Sequence, residues 1–200
     1  MRRRTLLGAA SASLVGLAGC MGATEYTVVD ATVGDVPAPL ALSVTVTDPD
    51  AVVEHPARLT FSLTNERDAP VRVRNTGIWP FGLLELVDTV DAVTAAGTIL
   101  WTPRYAESPH VDATSRRDYG TTSTPLVRTL DAGERVRETY ELHGDSLGGT
   151  DTGVQFVRGE FDPPILEYAV GDEDGGDDWQ SLLPEVRVRL EAKRLLPEIS

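Results

Sequence analysis

The strict alternation of side chains between Ala57 and Thr64 constrains the fold of this chain more than any other stretch. Apolar residues occupy every second position and polar residues the positions between, in the order Ala-Arg-Leu-Thr-Phe-Ser-Leu-Thr. Successive side chains of a β-strand point to opposite faces, so this pattern predicts a strand with one face in a core and one in water. Such strands are typical of antiparallel sheets.

Similar short runs, separated by turn residues, recur along the chain, and no long stretch has a convincing helical period. We predict strands at residues 40–46, 71–74, 97–102, 125–130, 135–142, 154–158, 165–170 and 186–190, while residues 81–87 fit either a strand or a helix. Residues 104–122 are polar and predict a long loop. The expected fold is therefore all-β, an immunoglobulin-like antiparallel β-sandwich. It must be disulfide-free, because Cys20 is the only cysteine.

The first twenty residues have the parts of an export signal in order. Arg2 to Arg4 give a positive start, and the run from Arg3 and Arg4 into Thr-Leu-Leu resembles the twin-arginine pattern. An uncharged stretch, Leu6 to Gly19, follows. As a helix it would cover about 21 Å, short of the roughly 30 Å hydrocarbon core, which indicates a signal peptide and not a transmembrane span.

The uncharged stretch ends in Leu17-Ala-Gly-Cys20, which resembles a lipobox. The resemblance implies that residues 1–19 are removed and that Cys20 carries a lipid; an ordinary secretory signal that contains a cysteine is the alternative. A group with two lipid chains anchors a protein durably. We therefore expect a signal peptide at 1–19, a lipidated tether at 20–39 and a sandwich at 40–200, on the extracytoplasmic face of the cell membrane. Residues 26–29 could pair as a short edge strand.

The charge balance restricts the partners of the chain. It holds 18 basic and 31 acidic residues, a formal net charge of −13, and Lys193 is its only lysine. This composition resembles proteins of extremely halophilic archaea, in whose molar salt the Debye length falls to about 3 Å and screens self-repulsion. An acidic bacterial surface protein is the alternative. Either way the chain lacks the basic footprint that nucleic-acid binding requires, so no nucleic acid is expected as a partner.

One resemblance extends to a family. The segments 57–65, 97–101, 130–142 and 153–159, with the turn before Val71, resemble the intracellular proteinase inhibitor (BsuPI) type of sandwich domain over about residues 57–161. The resemblance implies the sandwich fold. It also implies an alternative function, inhibition of a subtilisin-like protease, for which residues 104–122 are the stretch long and polar enough to serve as an inhibitory loop.

The strongest catalytic motif is Gly144-Asp-Ser-Leu-Gly148, which matches both the GxSxG elbow and the GDSL esterase block. A nucleophile elbow needs a helix after the serine, but residues 148–151 predict a turn. No histidine lies beyond His143, although both esterase families place one there, and a chymotrypsin-type order using His55 or His110 lacks that family's sequence blocks. We therefore expect a loop around Ser146 and no enzymatic activity.

Metal and ligand sites have little support. A blue-copper centre needs a cysteine thiolate, and Cys20 is assigned to lipid. The three histidines form no zinc-type pair, so no cofactor is expected. The acidic loop at residues 172–178 lacks EF-hand spacing and predicts a solvated segment, with calcium binding as the alternative. It has five carboxylates, Glu173 and the four candidate calcium ligands Asp172, Asp174, Asp177 and Asp178. Tryptophans in a sandwich usually belong to the core, although they could also line a ligand surface; they are Trp79, Trp101 and Trp179.

These observations predict a membrane-anchored extracytoplasmic lipoprotein. Its single sandwich domain is expected to act as a non-enzymatic binding or structural module at the cell surface, held to the membrane through the lipid on Cys20 and with a possible protein partner there. The alternative, from a different functional class, is an inhibitor of a subtilisin-like protease.

Overall fold

A computed structural model describes residues 25–36, 39–89, 97–148, 150–159, 164–171 and 178–193. Their regular structure is almost entirely strand, with two single-turn 3-10 helices at Pro103–Tyr105 and Gly144–Leu147. No helix among these residues is long and apolar enough to cross a membrane. The strands are β1 Tyr26–Val33, β2 Leu40–Asp48, β3 Asp50–Ala51, β4 Ala57–Asn65, β5 Val71–Asn75, β6 Leu84–Val87, β7 Thr98–Leu100, β8 Val111–Ser115, β9 Asp118–Thr121, β10 Leu126–Leu130, β11 Arg135–Leu142, β12 Gly153–Gly159, β13 Leu166–Val170, β14 Gln180–Leu182 and β15 Val186–Ala192.

The strands form antiparallel sheets packed as a sandwich. One sheet has the order β3-β1-β15-β12-β6-β7, a second β10-β5-β13-β14 and a third β11-β4-β2, while β8 and β9 form a separate hairpin. Every strand pairing is antiparallel. The predicted disulfide-free, all-β antiparallel sandwich is thereby confirmed.

Strand β4 shows why the alternating pattern produces this fold. It lies between β2 and β11, and its apolar residues Leu59, Phe61 and Leu63 are completely buried while the polar residues between them reach the surface. The Phe61 ring packs edge-on against Tyr140, with 5.6 Å between ring centroids. Burying a side chain of this size stabilises a fold by about 1.5–3 kcal/mol, so one such strand supplies a substantial part of the core.

Two connections pass between the three-stranded and the four-stranded sheet at one place, and Asn65 joins them. One connection runs from β4 to β5, the other from β10 to β11. The Asn65 side chain is fully buried, and its amide nitrogen donates to the carbonyl oxygens of Ala69, Leu130 and Asp131 at 2.9–3.1 Å. Its amide oxygen accepts from the backbone N–H of Arg67 at 3.0 Å. A single side chain therefore fixes both crossings.

The six-stranded sheet contains a buried ion pair. Glu85 on β6 is 2% exposed, and its carboxylate accepts from Arg158 Nε at 2.5 Å and from the Gly97 backbone N–H at 2.9 Å. A Cβ atom on Gly97 would lie 2.5 Å from the Glu85 carboxylate, so only glycine allows this approach. Removing one member of a buried pair leaves the other charge buried without a partner, which is strongly destabilising. The pair therefore holds β6, β12 and the start of β7 in a fixed register.

The sheet begins earlier than the sequence predicted. Residues 20–39 were expected to form a tether, but Tyr26–Val33 is strand β1, paired with β15 on one side and with β3 on the other. Tyr26 and Val28 belong to the buried core. The alternation fades after Val28, where the register with β15 shifts by a bulge, so the local pattern understates a strand that neighbouring strands stabilise.

The loop predicted at residues 104–122 is also more ordered than expected. It starts in the 3-10 turn Pro103–Tyr105 and continues into the hairpin of β8 and β9. Most of the hairpin's side chains are exposed or half-buried. Its strands therefore lack the apolar face that makes a strand visible in a sequence.

Replacing Asn65 with Ala should lower the free energy of unfolding by about 3 kcal/mol, because one buried and two partly buried carbonyl groups lose their donor. Thr60→Ala is the matched control; it removes an exposed side-chain bond to the Thr139 hydroxyl and should cost less than about 1 kcal/mol. Urea unfolding in molar salt measures both. Equal losses for the two variants would show that Asn65 does not secure the crossings.

Candidate functional site

Most of the site residues expected from the sequence lie outside the part of the chain that the structure describes. These are Cys20 with the export arginines Arg3 and Arg4, and the acidic-loop residues Asp172, Asp174 and Asp177. Asp178, the remaining member of the loop, is exposed. Within the described ranges, no group of three or more His, Cys, Asp or Glu side chains is placed to hold a metal ion. Lipidation and calcium binding both stay predictions.

Ser146 lies in the single 3-10 turn Gly144–Leu147, directly after β11. Its hydroxyl oxygen accepts from Arg116 Nε at 3.3 Å. The nearby His143 pairs through Nε2 with Glu141, at 3.1 Å. Among the described residues, no hydrogen bond joins a histidine to the Ser146 hydroxyl, so its partner is a cation and not a base.

A groove on the surface offers a better candidate, and we call it the Trp79 groove. It has a volume of about 560 Å³ and is lined by residues 77–79, by Arg104 with residues 107–110, and by residues 125–128. Ligand sites are typically concave, with apolar walls and a few convergent polar groups. The lining combines an indole, two guanidinium groups, an imidazole and the start of strand β10.

The turn that presents Trp79 depends on two glycines and on Asn75. Gly77 and Gly82 have positive φ angles of 75° and 69°, a conformation that residues with a Cβ rarely adopt. A Cβ on Gly82 would also lie 2.2 Å from the Asn75 side-chain oxygen. The Asn75 amide donates to the carbonyl oxygens of Ile165, at 2.7 Å, and of Pro80, at 3.3 Å. These hydrogen bonds fix the position of the turn relative to the sheet.

Trp79 is half-buried, and its ring carries the guanidinium of Arg128, with 5.1 Å from the guanidinium carbon to the ring centroid. The indole Nε1 atom is buried and has no hydrogen-bond partner. A tryptophan N–H usually finds a partner when it is buried. Trp79 therefore combines an apolar platform with an unused donor.

The opposite wall is held by its own hydrogen bonds. The Ser108 hydroxyl donates to the Gly77 carbonyl oxygen at 2.7 Å, which ties this wall to the Trp79 turn. The Arg104 guanidinium donates to the Glu138 carboxylate, which also accepts from the Thr102 hydroxyl at 3.0 Å. Because Glu138 neutralises it, Arg104 adds little free charge to the groove, in contrast to Arg128.

Strand β10 borders the groove and is an edge strand. It pairs with β5 on one side, and none of the described residues pairs with its other side. Val127, its second residue, is 49% exposed. An edge strand presents a row of unpaired N–H and C=O groups that can template another chain. Five residues of strand give such a template a length of about 16 Å.

The β8–β9 hairpin, which lies within the expected inhibitory loop at residues 104–122, is held at its tip. Arg116 donates through Nη2 to the Asp145 carboxylate at 2.5 Å, and Arg117 donates to the Asp145 carbonyl oxygen at 3.4 Å. Burial opposes ionisation of Asp145, but the hydrogen bond and charge of Arg116 outweigh it, and the pKa of this carboxyl group lies below its ordinary value. The tip is therefore docked against the sandwich.

The three tryptophans have different surroundings. Trp101 packs edge-on against Tyr105 with 5.4 Å between centroids, next to the core. Trp179 lies under the guanidinium groups of Arg72 and Arg74, at 5.2 and 4.4 Å from its centroid. Only Trp79 lines the groove described above. The sequence analysis did not single out Arg128 or its strand edge. The local signal was the glycine-flanked Trp-Pro turn, a common feature of exposed turns.

Comparison with known proteins adds a family and no activity. A protein-family model described as "Domain of unknown function (DUF8130)" matches residues 1–198. No curated protein and no solved structure matches the chain.

Replacing Asp145 with Asn should release the hairpin tip, because the side chain then loses its charge-assisted bond to Arg116. We expect trypsin to cleave after Arg116 or Arg117 severalfold faster than in the wild type, because cleavage needs a locally opened segment. Asp112→Asn, an exposed change on the same hairpin, is the control and should cleave at the wild-type rate. Equal rates for the Asp145 variant would contradict the docking.

The loss of stability caused by Asp145→Asn should depend on pH. The pKa of Asp145 is lower in the folded chain than its ordinary value of 3.8, so its contribution is present above about pH 4 and is lost as the pH falls through the folded-state pKa. Wild type and Asp145→Asn should therefore differ in urea midpoint at neutral pH, and the difference in free energy of unfolding should be less than about 1 kcal/mol for so exposed a pair. The two midpoints should converge in acid, and a constant difference would contradict the assignment.

Proposed function

The chain belongs to the DUF8130 family, and we propose that it is a membrane-anchored extracytoplasmic lipoprotein whose sandwich binds an extended segment of a partner protein at the cell surface. The observation that carries the binding proposal is the unpaired edge of β10 beside the Trp79 groove. The anchoring proposal rests on the leader, with its paired arginines Arg3 and Arg4 and its terminal Cys20.

Strand addition is the binding mode that this edge supports best. An extended peptide laid along β10 would gain main-chain hydrogen bonds, and its alternate side chains would point toward and away from the groove. Each bond contributes only about 0.5–1.5 kcal/mol net, so specificity must come from the groove walls. Val127, half-exposed and the second residue of β10, then becomes covered by the added strand.

The groove walls indicate the chemistry of the bound segment. The Trp79 ring offers an apolar surface for a flat or aliphatic side chain. Arg128 has no carboxylate partner among the described residues, and stacking on Trp79 leaves its donors free at the edge of the guanidinium plane. A segment with an acidic residue next to an apolar one fits this pair.

Inhibition of a subtilisin-like protease is the alternative, and it has less support. It requires residues 104–122 to enter a protease cleft. The tip of that segment is bound to Asp145 and Ser146, so presenting it would first require those bonds to break. The edge of β10 needs no such rearrangement.

Site-specific photocrosslinking tests the binding proposal. A photoreactive residue replaces Val127, and the control replaces Val154, an outward strand valine of almost equal exposure on β12 (49% against 48%). In intact membranes at high salt, we expect one discrete adduct from position 127 and none from position 154. Trp79→Ala should reduce the position-127 adduct about tenfold, the effect of losing one anchoring aromatic.

Each outcome of this experiment has a clear meaning. Identical adduct patterns at the two positions, or an adduct that persists unchanged in Trp79→Ala, would contradict binding at the β10 edge. Stoichiometric inhibition of a subtilisin-like protease, lost when residues 104–122 are shortened and retained in Trp79→Ala, would favour the alternative. A Cys20→Ser variant tests the anchor separately, because it should leave the membrane fraction.

A further inference from the structure

The early start of β1 limits the distance between the sandwich and the lipid-bearing residue. This inference rests on the lipid anchor proposed above. From Cys20 to Tyr26, the first residue of β1, the chain advances six residues. Even fully extended, six residues span no more than about 20 Å. The Tyr26 end of the sandwich is therefore held within about 20 Å of the lipid-bearing residue.

Three strands meet at this end of the six-stranded sheet. Strand β1 begins here, and Tyr26 is paired with Ala51, the last residue of β3, and with Ala192, the last residue of β15. The Lys193 backbone N–H donates to the Glu25 carbonyl oxygen at 2.9 Å, which extends the pairing by one residue. This end of the sheet is therefore the end at which the lipidated segment joins the domain.

The turn at residues 52–55 extends beyond this end of the sheet. Strand β3 runs antiparallel to β1, so the residues after Ala51 continue past Tyr26, beyond the start of β1. The turn is closed by a hydrogen bond from the Val52 N–H to the His55 carbonyl oxygen at 3.0 Å. Val53 at its tip is 79% exposed, the most exposed large apolar side chain among the described residues.

Two side-chain pairs flank the turn, and one of them is an ion pair. Lys193 donates to the Asp50 carboxylate at 2.7 Å, and His55 Nδ1 lies 3.6 Å from the Asp48 carboxylate. Glu54 is exposed beside Val53. Pairing reduces the cost of bringing this end to a polar interface, where an apolar side chain gains by entering the headgroup and acyl boundary while a charged neighbour stays among the headgroups.

We propose that the turn 52–55 contacts the lipid surface, with Val53 in the interface, and that β1 rises from the membrane. The other end of β1 then faces away from the bilayer. Val33 there pairs with Val186, about 23 Å along the strand from Tyr26. Leu183, 61% exposed and three residues before Val186, serves as the distal reference point.

Single-cysteine labelling can measure this orientation. Cys20 is the only native cysteine, and its thiol is blocked on the lipidated protein, so Val53→Cys and Leu183→Cys each provide one free thiol for an environment-sensitive fluorophore. The lipidated variants are reconstituted in high salt into vesicles of phosphatidylcholine and phosphatidylglycerol with a nitroxide on a fraction of the headgroups. We expect the label at position 53 to be quenched at least about twofold more than the label at 183, given the difference in height.

The outcomes separate this proposal from the anchor. If the protein carries the lipid by mass spectrometry and floats with the vesicles, but the two labels are quenched equally or the label at 183 more, the orientation is wrong and the anchor stands. If Cys20 carries no lipid and the protein does not float with the vesicles, the anchor and the orientation both fail. Greater quenching at position 53, lost in the Cys20→Ser form of the same variant, supports both.

Discussion

In a chain with one cysteine, the two connections between the three-stranded and the four-stranded sheet depend on the side-chain amide of Asn65. Each crossing exposes backbone carbonyl groups that no strand can satisfy, and a buried carbonyl without a donor is costly. Asn65 provides donors for both crossings at once. Asn65 therefore links the connection from β4 to β5 with the connection from β10 to β11, and it fixes the position of β10 relative to β4. The position of the unpaired β10 edge, beside the Trp79 groove, therefore depends on Asn65.

The predictability of each strand follows from how many of its faces are buried. β4 and β15 alternate in sequence because one face lies in the core and the other in water. β1 carries this signal only near Tyr26 and Val28, and pairing with β15 keeps its remainder in the sheet. The β8–β9 hairpin buries little on either face, so its residues look like a loop. Local pattern records burial, while backbone pairing depends on distant neighbours.

The candidate groove was harder to predict from the sequence than the strands of the core, because pairing between distant segments brings its residues together. Trp79 was recognised as a tryptophan with two possible roles, but Arg128 lies 49 positions away and reaches it only because β10 pairs with β5. The free edge of β10 is a property of sheet order, which no local motif encodes. In contrast, the leader could be interpreted from twenty consecutive residues. That interpretation, with Cys20 as its central residue, remains a prediction because it concerns residues beyond the described ranges.

The start of β1 at Tyr26 has a consequence for the affinity that a binding partner needs. With the lipid anchor proposed on Cys20, a domain tethered through so few residues is confined to a thin layer above the bilayer. For a partner in the same membrane, this confinement acts as an effective concentration, which for short linkers reaches about the millimolar range. A weak intrinsic contact, such as a few main-chain hydrogen bonds at one strand edge, can then be occupied most of the time and still exchange rapidly.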